Sequence, residues 1–213
     1  MKYSWFIIIF LLLSCGEDQI TESEQDVDDQ SVPYLILIKC DNFIISQVGE
    51  EFFKAYISFD HAHYYDADSF CIEHPDNCEP YLQHPHYLIV YKFSIPEKSY
   101  VNEIIEFVVD PAGNVVPDRE PLGIPKCPGN TCWGKFQIIG EEEAIQIARD
   151  VGLEEGIKEW RTSFHYFAGD IADYVWSISN TLYEDNGSSG GKTITINSHT
   201  GEVFSTLAWL INP

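Results

Sequence analysis

The sequence predicts an α+β protein of two helix-plus-antiparallel-sheet units, behind an apolar leader and a disordered acidic tether. Three observations carry this. A nine-residue apolar run, Trp5 to Leu13, ends at Ser14–Cys15. Seven acidic residues crowd the stretch from Gly16 to Val32, which has no basic or aromatic residue. Beyond it, a helical pattern followed by alternating strands occurs twice.

Lys2 and the run Trp5–Leu13 have the layout of a signal peptide. As a helix the run spans about 13 Å, whereas a bilayer core of about 30 Å takes roughly 20 residues. Residues 1–14 are therefore read as a cleaved leader. The end of this leader, L-L-S-C with Cys15 after small Ser14, resembles the lipobox of bacterial lipoproteins. That resemblance implies a diacylglycerol on Cys15, cleavage before it and anchoring in a membrane by fatty-acid chains, each buried CH₂ contributing about 0.8 kcal/mol. An ordinary signal peptide followed by a chance cysteine is the alternative.

Residues 15–32 form the lipidated cysteine and linker. Glu17, Asp18, Glu22, Glu24, Asp26, Asp28 and Asp29 repel one another, and the segment has too little apolar surface to offset its ordering entropy. As a coil it reaches about 23 Å. Gly16 is not the aspartate of inner-membrane retention, and the acidic run resembles the export signal of surface lipoproteins. The expected location is the outer membrane, at the cell surface or the periplasmic face.

Composition sets further bounds. Aromatics at 14% and hydrophobics at 45% of the 213 residues are enough for a real core. A net charge of −22 argues against nucleic-acid and anionic-headgroup partners. After Cys15 come Cys40, Cys71, Cys78, Cys127 and Cys132. Export favours disulfides, and the shortest loops join Cys71 to Cys78 and Cys127 to Cys132, although spacing alone leaves the connectivity open. Cys40 is expected to be buried and unpaired.

The first unit is placed at residues 33–133. "YLILIK", Tyr34 to Lys39, reads as a strand. Ser46 caps a helix with Val48, Phe52, Ala55, Tyr56 and Phe59 on one stripe. An irregular stretch runs from Asp60 to Pro85, then Tyr87–Ile95 alternates as a strand and Glu103–Val109 forms another, turned by "DPAGN" into Val115 and Val116. After a Pro/Gly-rich connector, Pro117 to Trp133, the second unit occupies 134–213. "EEEAIQIARDVG" places Ala144, Ile147, Ala148 and Val151 at helical spacing, with three glutamates in the first turn and Gly152 as a left-handed cap for Leu153. Strands follow over 158–167 and 172–183, then a flexible hairpin loop "EDNGSSGG" and closing strands at 192–197 and 202–207 around "SHTG".

"EFVVDPAGNVV" and "TITINSHTGEVF" share an apolar strand, an Asp or Asn, a Gly-containing turn and a return to valine. Helix "EEEAIQIARDVG" with "ITINSHTGEVF" resembles the PepSY domain over residues 138–208, and residues 46–116 carry a more degenerate copy. Gly140 in place of a hydroxyl cap, the long "EDNGSSGG" loop and the histidine-rich insertion depart from the family pattern. The resemblance implies a small non-catalytic, cystatin-like module of the kind found in propeptides of secreted metallopeptidases, and transfers no catalytic residue.

Chemistry-bearing motifs are sparse. There is no Gly-x-Ser-x-Gly elbow, His-Glu-x-x-His or phosphate loop. Acid pairs such as Asp66/Asp68 and Glu154/Glu155 are unavoidable in so acidic a chain. One cluster stands out: His61, His63, His74, His84 and His86, including the pairs "HAH" and "HPH", whose side chains share one side of an extended segment. Imidazoles with Asp66 or Asp68 suit zinc, copper or nickel; a solvated loop flanked by tyrosines is the competing reading. His165 and His199 read as a strand-surface and a turn residue. The expected function is a non-enzymatic envelope lipoprotein acting as a protein-interaction or peptidase-inhibitory module, with a secreted peptidase as the expected partner and sheet edges and exposed tyrosines as the contact surface. The alternative is a metal-binding lipoprotein using the His61–His86 segment, and a third is a hydrolase with an unadvertised site.

Overall fold

The structure, a computed structural model, describes residues 32–66, 84–117, 119–169 and 171–211. The leader, Cys15, the tether, Cys71, His74 and Cys78 lie outside the described residues.

Helix α1 (Tyr34–Val48) starts directly after Pro33, whose carbonyl accepts the Ile36 and Leu37 N–H groups. The expected strand at Tyr34–Lys39 is therefore helix. The reason lies in the longer period: Ile36, Cys40, Ile44 and Val48 are all buried and spaced by four, a helical stripe that a six-residue apolar run cannot display. Ser46 does not open this helix but sits near its end, donating to the Phe43 carbonyl. Gly49, at φ 86°, stops α1 and starts α2 (Glu50–Tyr56). Only a residue without a Cβ enters that region freely.

The chain passes from α2 straight into β1 (Ile57–Tyr65), so the start of the expected irregular stretch is strand. β1, β2 (His86–Ile95) and β3 (Lys98–Val109) form an antiparallel meander in that order, with a bulge between Phe59 and His61. The Asp110 carboxylate accepts the Ala112 and Asn114 N–H groups, and the turn returns Val115 to bridge Val109. α1 covers this sheet: Phe43 packs on Phe107 at 5.3 Å, and the Tyr91 hydroxyl donates to Asp41 at 2.6 Å. Burial first, then the hydrogen bond to Asp41, pushes the Tyr91 pKa up.

In the connector, Cys127 and Cys132 are disulfide-bonded, and the Cys132 N–H donates to the Val48 carbonyl, tying it to the end of α1. Cys40 is free and buried on α1, its thiol pushed up to about 12 by burial first and Asp41 second.

Helix α3 (Glu141–Asp150) carries its three glutamates in the first turn, as the dipole favours. It ends as the sequence suggests: Gly152 donates to Arg149 and Leu153 to Ala148, the two bonds of a Schellman cap. Ala144 and Ala148 are fully buried, small enough to let the helix sit close on the sheet. That sheet comprises β4 (Arg161–Phe167), β5 (Asp173–Ser179), β6 (Tyr183–Asp185), β7 (Ser188–Asn197) and β8 (Val203–Ile211), all antiparallel. β7 takes β5 and β6 along one edge and β8 along the other.

The expected hairpin at "EDNGSSGG" is present between β6 and β7, but as a tight one whose turn is only Asn186–Gly187, with the rest paired as strand. Gly190 and Gly191 are strand residues with aromatic rings laid over them: a Cβ on Gly190 would stand 2.6 Å from the Tyr183 ring. A polar, Gly-rich string reads as a loop only while its cross-strand partners are unknown.

Helix, then antiparallel meander, then a turn pinned by one side chain is the layout of both halves. Asp110 pins the first turn, and the Asn197 side-chain amide oxygen, accepting the His199 and Thr200 N–H groups, pins the second. The two sheets share one core. Phe93 of β2 packs on Phe136 and on Tyr174 of β5, each at 5.6 Å, while Tyr100 of β3 packs on Trp176 at 4.8 Å.

Candidate interaction surface

β8 is the outer strand of its sheet. It pairs with β7 along one edge, and no described strand pairs with the other. Residues 203–211 carry no charge, no proline and no glycine. Four large apolar side chains stand out in solvent: Phe204 (40% exposed), Leu207 (62%), Leu210 (59%) and Ile211 (57%). Alternation divides them between faces, Leu207 and Ile211 on one and Phe204 (beside a bulge) and Leu210 on the other. An edge of this kind is a template for strand addition, and most proteins blunt it with charge, proline or brevity. Here only the bulge opposite Thr195/Ile196, at the start of the strand, interrupts it.

Trp209 anchors the strand. Its ring lies against Gly191 of β7, where a Cβ would be 2.8 Å from the indole and 2.0 Å from the Asn180 carbonyl. The Arg161 guanidinium stands 5.4 Å from the ring centre, a cation–π contact across the sheet. Beside it is a cleft of about 270 Å³, lined in part by Glu159, Thr181, Ser189 and Ile211. A second cleft, about 260 Å³, lies between α1 and the connector, among Phe43, Gln47, Ile124, Lys126, Cys127 and Tyr166.

Of the histidines, His61 and His63 lie on β1 and His86 on its partner β2, with His84 just before β2. His61 and His63 share a face of β1 with ring centres 6.2 Å apart. His61 Nδ1 lies 2.8 Å from Asp60, whose carboxylate also meets Lys92 at 2.6 Å and is held below the usual range by Lys92 and then His61. His86 opens β2 almost fully buried, its ring stacked on Tyr65 at 5.1 Å and its Nδ1 against the His84 carbonyl at 2.9 Å. The "HPH" pair is thus divided, His84 exposed and His86 inside. Among the described residues no three His, Cys, Asp or Glu side chains gather into a metal site.

His199, read from sequence as a mere turn residue, has a defined structural role. Its Nδ1 donates to the Gln137 carbonyl at 2.6 Å and its Nε2 lies 3.4 Å from Asp173, an ion-pair contact. This joins the segment before α3, the start of β5 and the β7–β8 turn. Burial opposes charge on His199, but Asp173 and the Gln137 carbonyl outweigh it and raise its pKa; burial likewise opposes ionisation of Asp173, and His199 and the Tyr174 N–H outweigh it. With the His pKa raised, its contribution is complete below the unfolded value of 6.5 and fades as pH climbs through the folded value. With the Asp pKa lowered, its contribution is present above the unfolded value of 3.8 and fades as pH falls through the folded value. His199→Ala is therefore expected to lower unfolding free energy most at about pH 5.5 and little at about pH 8.5. Urea melts at both values test this; an equal loss at both would show that packing on Phe136, not charge, is what His199 supplies.

Which strands are left outermost is decided by the folded sheet, where β4 and β8 are the two outer strands. Among the described residues, no helix is long and apolar enough to cross a membrane. No protein-family model matches the chain, and no curated protein matches it.

Proposed function

We propose that this chain is a non-enzymatic envelope lipoprotein, anchored through Cys15, that binds a protein partner by strand addition along β8. The carrying observation is the uncharged edge of β8, with no strand beside it among the described residues and with Phe204, Leu207, Leu210 and Ile211 exposed. Main-chain hydrogen bonds from an added strand supply affinity, and alternate side chains supply register. The lipobox-like "LLSC" and the acidic stretch behind it support the anchor. The PepSY-like reading, two helix-plus-meander units in tandem, is supported by the common layout of the halves and by the equivalent Asp110 and Asn197 turns. An inhibitory role toward a secreted peptidase is the form of partnership that this resemblance suggests.

The test is a paired one on native membranes. Intact-mass analysis should find a chain beginning at Cys15 with a diacylglyceryl group and an acylated amino terminus. Crosslinking in the envelope should capture a protein with the parent chain that Leu207→Lys loses. A chain that begins at unmodified Met1, or one capture pattern for both baits, overturns the respective half of the proposal.

A further inference from the structure

The first turns of α1 carry an exposed apolar end that plays no part in strand addition at β8. Tyr34 is 75% exposed, Leu35 74% and Ile38 36%. Tyr34 and Ile38 stand one turn apart with Leu35 beside them, opposite the buried stripe of Ile36, Cys40 and Ile44. Further along, the same outer face turns polar, with Asn42 and Ser46 exposed. A helix face made only for water is polar throughout, so it is the start of α1, not its side, that is built to be covered. The Asp110–Asn114 turn lies against this end. There the Lys39 ammonium donates to the Ala112 carbonyl at 2.6 Å, and Pro111 and Ala112 add further exposed apolar surface.

Charge and chain position select the occupant. No acid occurs between Asp29 and Asp41 in a chain of net charge −22, and Lys39 is the one charged residue of that stretch. The first turn of α1 holds no acid, where that of α3 holds three glutamates. Asp110, alongside, is held by its own turn, and Asp41 accepts from the Tyr91 hydroxyl. This end is also where the linker from Cys15 enters the described fold. A coil of about 23 Å keeps an anchored chain's own bilayer within reach of these side chains, at high effective concentration. A ring with a polar tip among aliphatic side chains is the composition that settles at a lipid interface.

We propose that the start of α1, through Tyr34, Leu35 and Ile38, docks on a neutral phospholipid surface and so seats the domain against the membrane. This docking rests on the Cys15 anchor proposed above for its proximity to lipid. The acidic body, repelled by anionic headgroups, confines it to neutral lipid.

The test uses the mature chain with Cys15→Ser, which carries no acyl group, so that the protein surface alone decides binding. Flotation with phosphatidylcholine vesicles is expected to carry the chain, and Leu35→Asp to weaken that partition at least about tenfold. Leu35 is exposed, so the melting curve should not move. Leu207→Asp, on the other exposed apolar surface, should leave partition unchanged. Tyr34→Trp should show emission quenched by brominated lipid, and phosphatidylglycerol in the vesicles should reduce binding. No flotation up to about 10 mM lipid, or flotation that Leu35→Asp leaves intact, overturns the docking. Sedimentation of the chain alone as a dimer that Leu35→Asp dissociates overturns it in favour of a second copy. Flotation as expected, with a native chain that lacks acyl groups, upholds the docking surface and overturns the anchor alone.

Discussion

Phe93→Ala is expected to destabilise the protein by about 3–5 kcal/mol and to loosen both sheets together. The ring is fully buried and meets Phe52 at 5.8 Å, Phe136 at 5.6 Å and Tyr174 at 5.6 Å. Phe52 belongs to α2 in the first half, Phe136 and Tyr174 to the second, so truncation opens a void where the two halves meet rather than inside either one. Interiors are packed too closely to absorb such a loss by relaxation alone. In urea melts the midpoint should fall while near-ultraviolet circular dichroism and secondary structure still change together. Exchange of the β5 amides should accelerate along with those of β2. If β5 keeps its protection while β2 loses it, the halves are separately stable domains and the shared core is only a contact.

Gly191→Ala is expected to cost about 1–3 kcal/mol and to free β8 selectively. The new methyl would stand 2.0 Å from the Asn180 carbonyl oxygen and 2.8 Å from the Trp209 indole. The carbonyl is backbone, and Asn180 is itself tied down: its side-chain amide donates to the Glu154 carbonyl and its side-chain oxygen accepts the Lys192 N–H. The ring is the softer neighbour, so Trp209 should leave its place and lose the Arg161 contact. Trp209 is the side chain that holds the far half of β8 to the sheet, so binding at β8 should fall with stability. The check is hydrogen exchange over 203–211 against β5: acceleration confined to β8 is expected, and uniform acceleration would mean that the methyl damages the sheet as a whole.

The sequence was most legible where one short segment contains its own physical cause. The α3 helix, its acidic first turn and its Gly152–Leu153 cap are local, and each is found where local chemistry puts it. The strands at Tyr87–Ile95 and Glu103–Val109 follow from period-two alternation, although β3 begins earlier, at Lys98. The misreadings share one cause. Tyr34–Lys39 looked like a strand, Asp60–Tyr65 like loop, and "EDNGSSGG" like a linker because each window lacked the partner that decides it: the core that reads Ile36 to Val48 as a stripe, β2 opposite the histidines, and Tyr183 and Trp209 laid over adjacent glycines.

By itself the sequence determined the α+β class, the apolar run that ends at Cys15 and the acidic balance, and it offered Cys127–Cys132 as one of two short loops, a pairing that only the structure shows. Only the tertiary structure decided that the two halves share a core, that His199 meets Asp173, and that β8 rather than β7 is left with an open edge. The difference is one of range. Propensity, capping and charge act within a few residues and are written along the chain. Which edge of a sheet remains unpaired depends on where every other strand has gone.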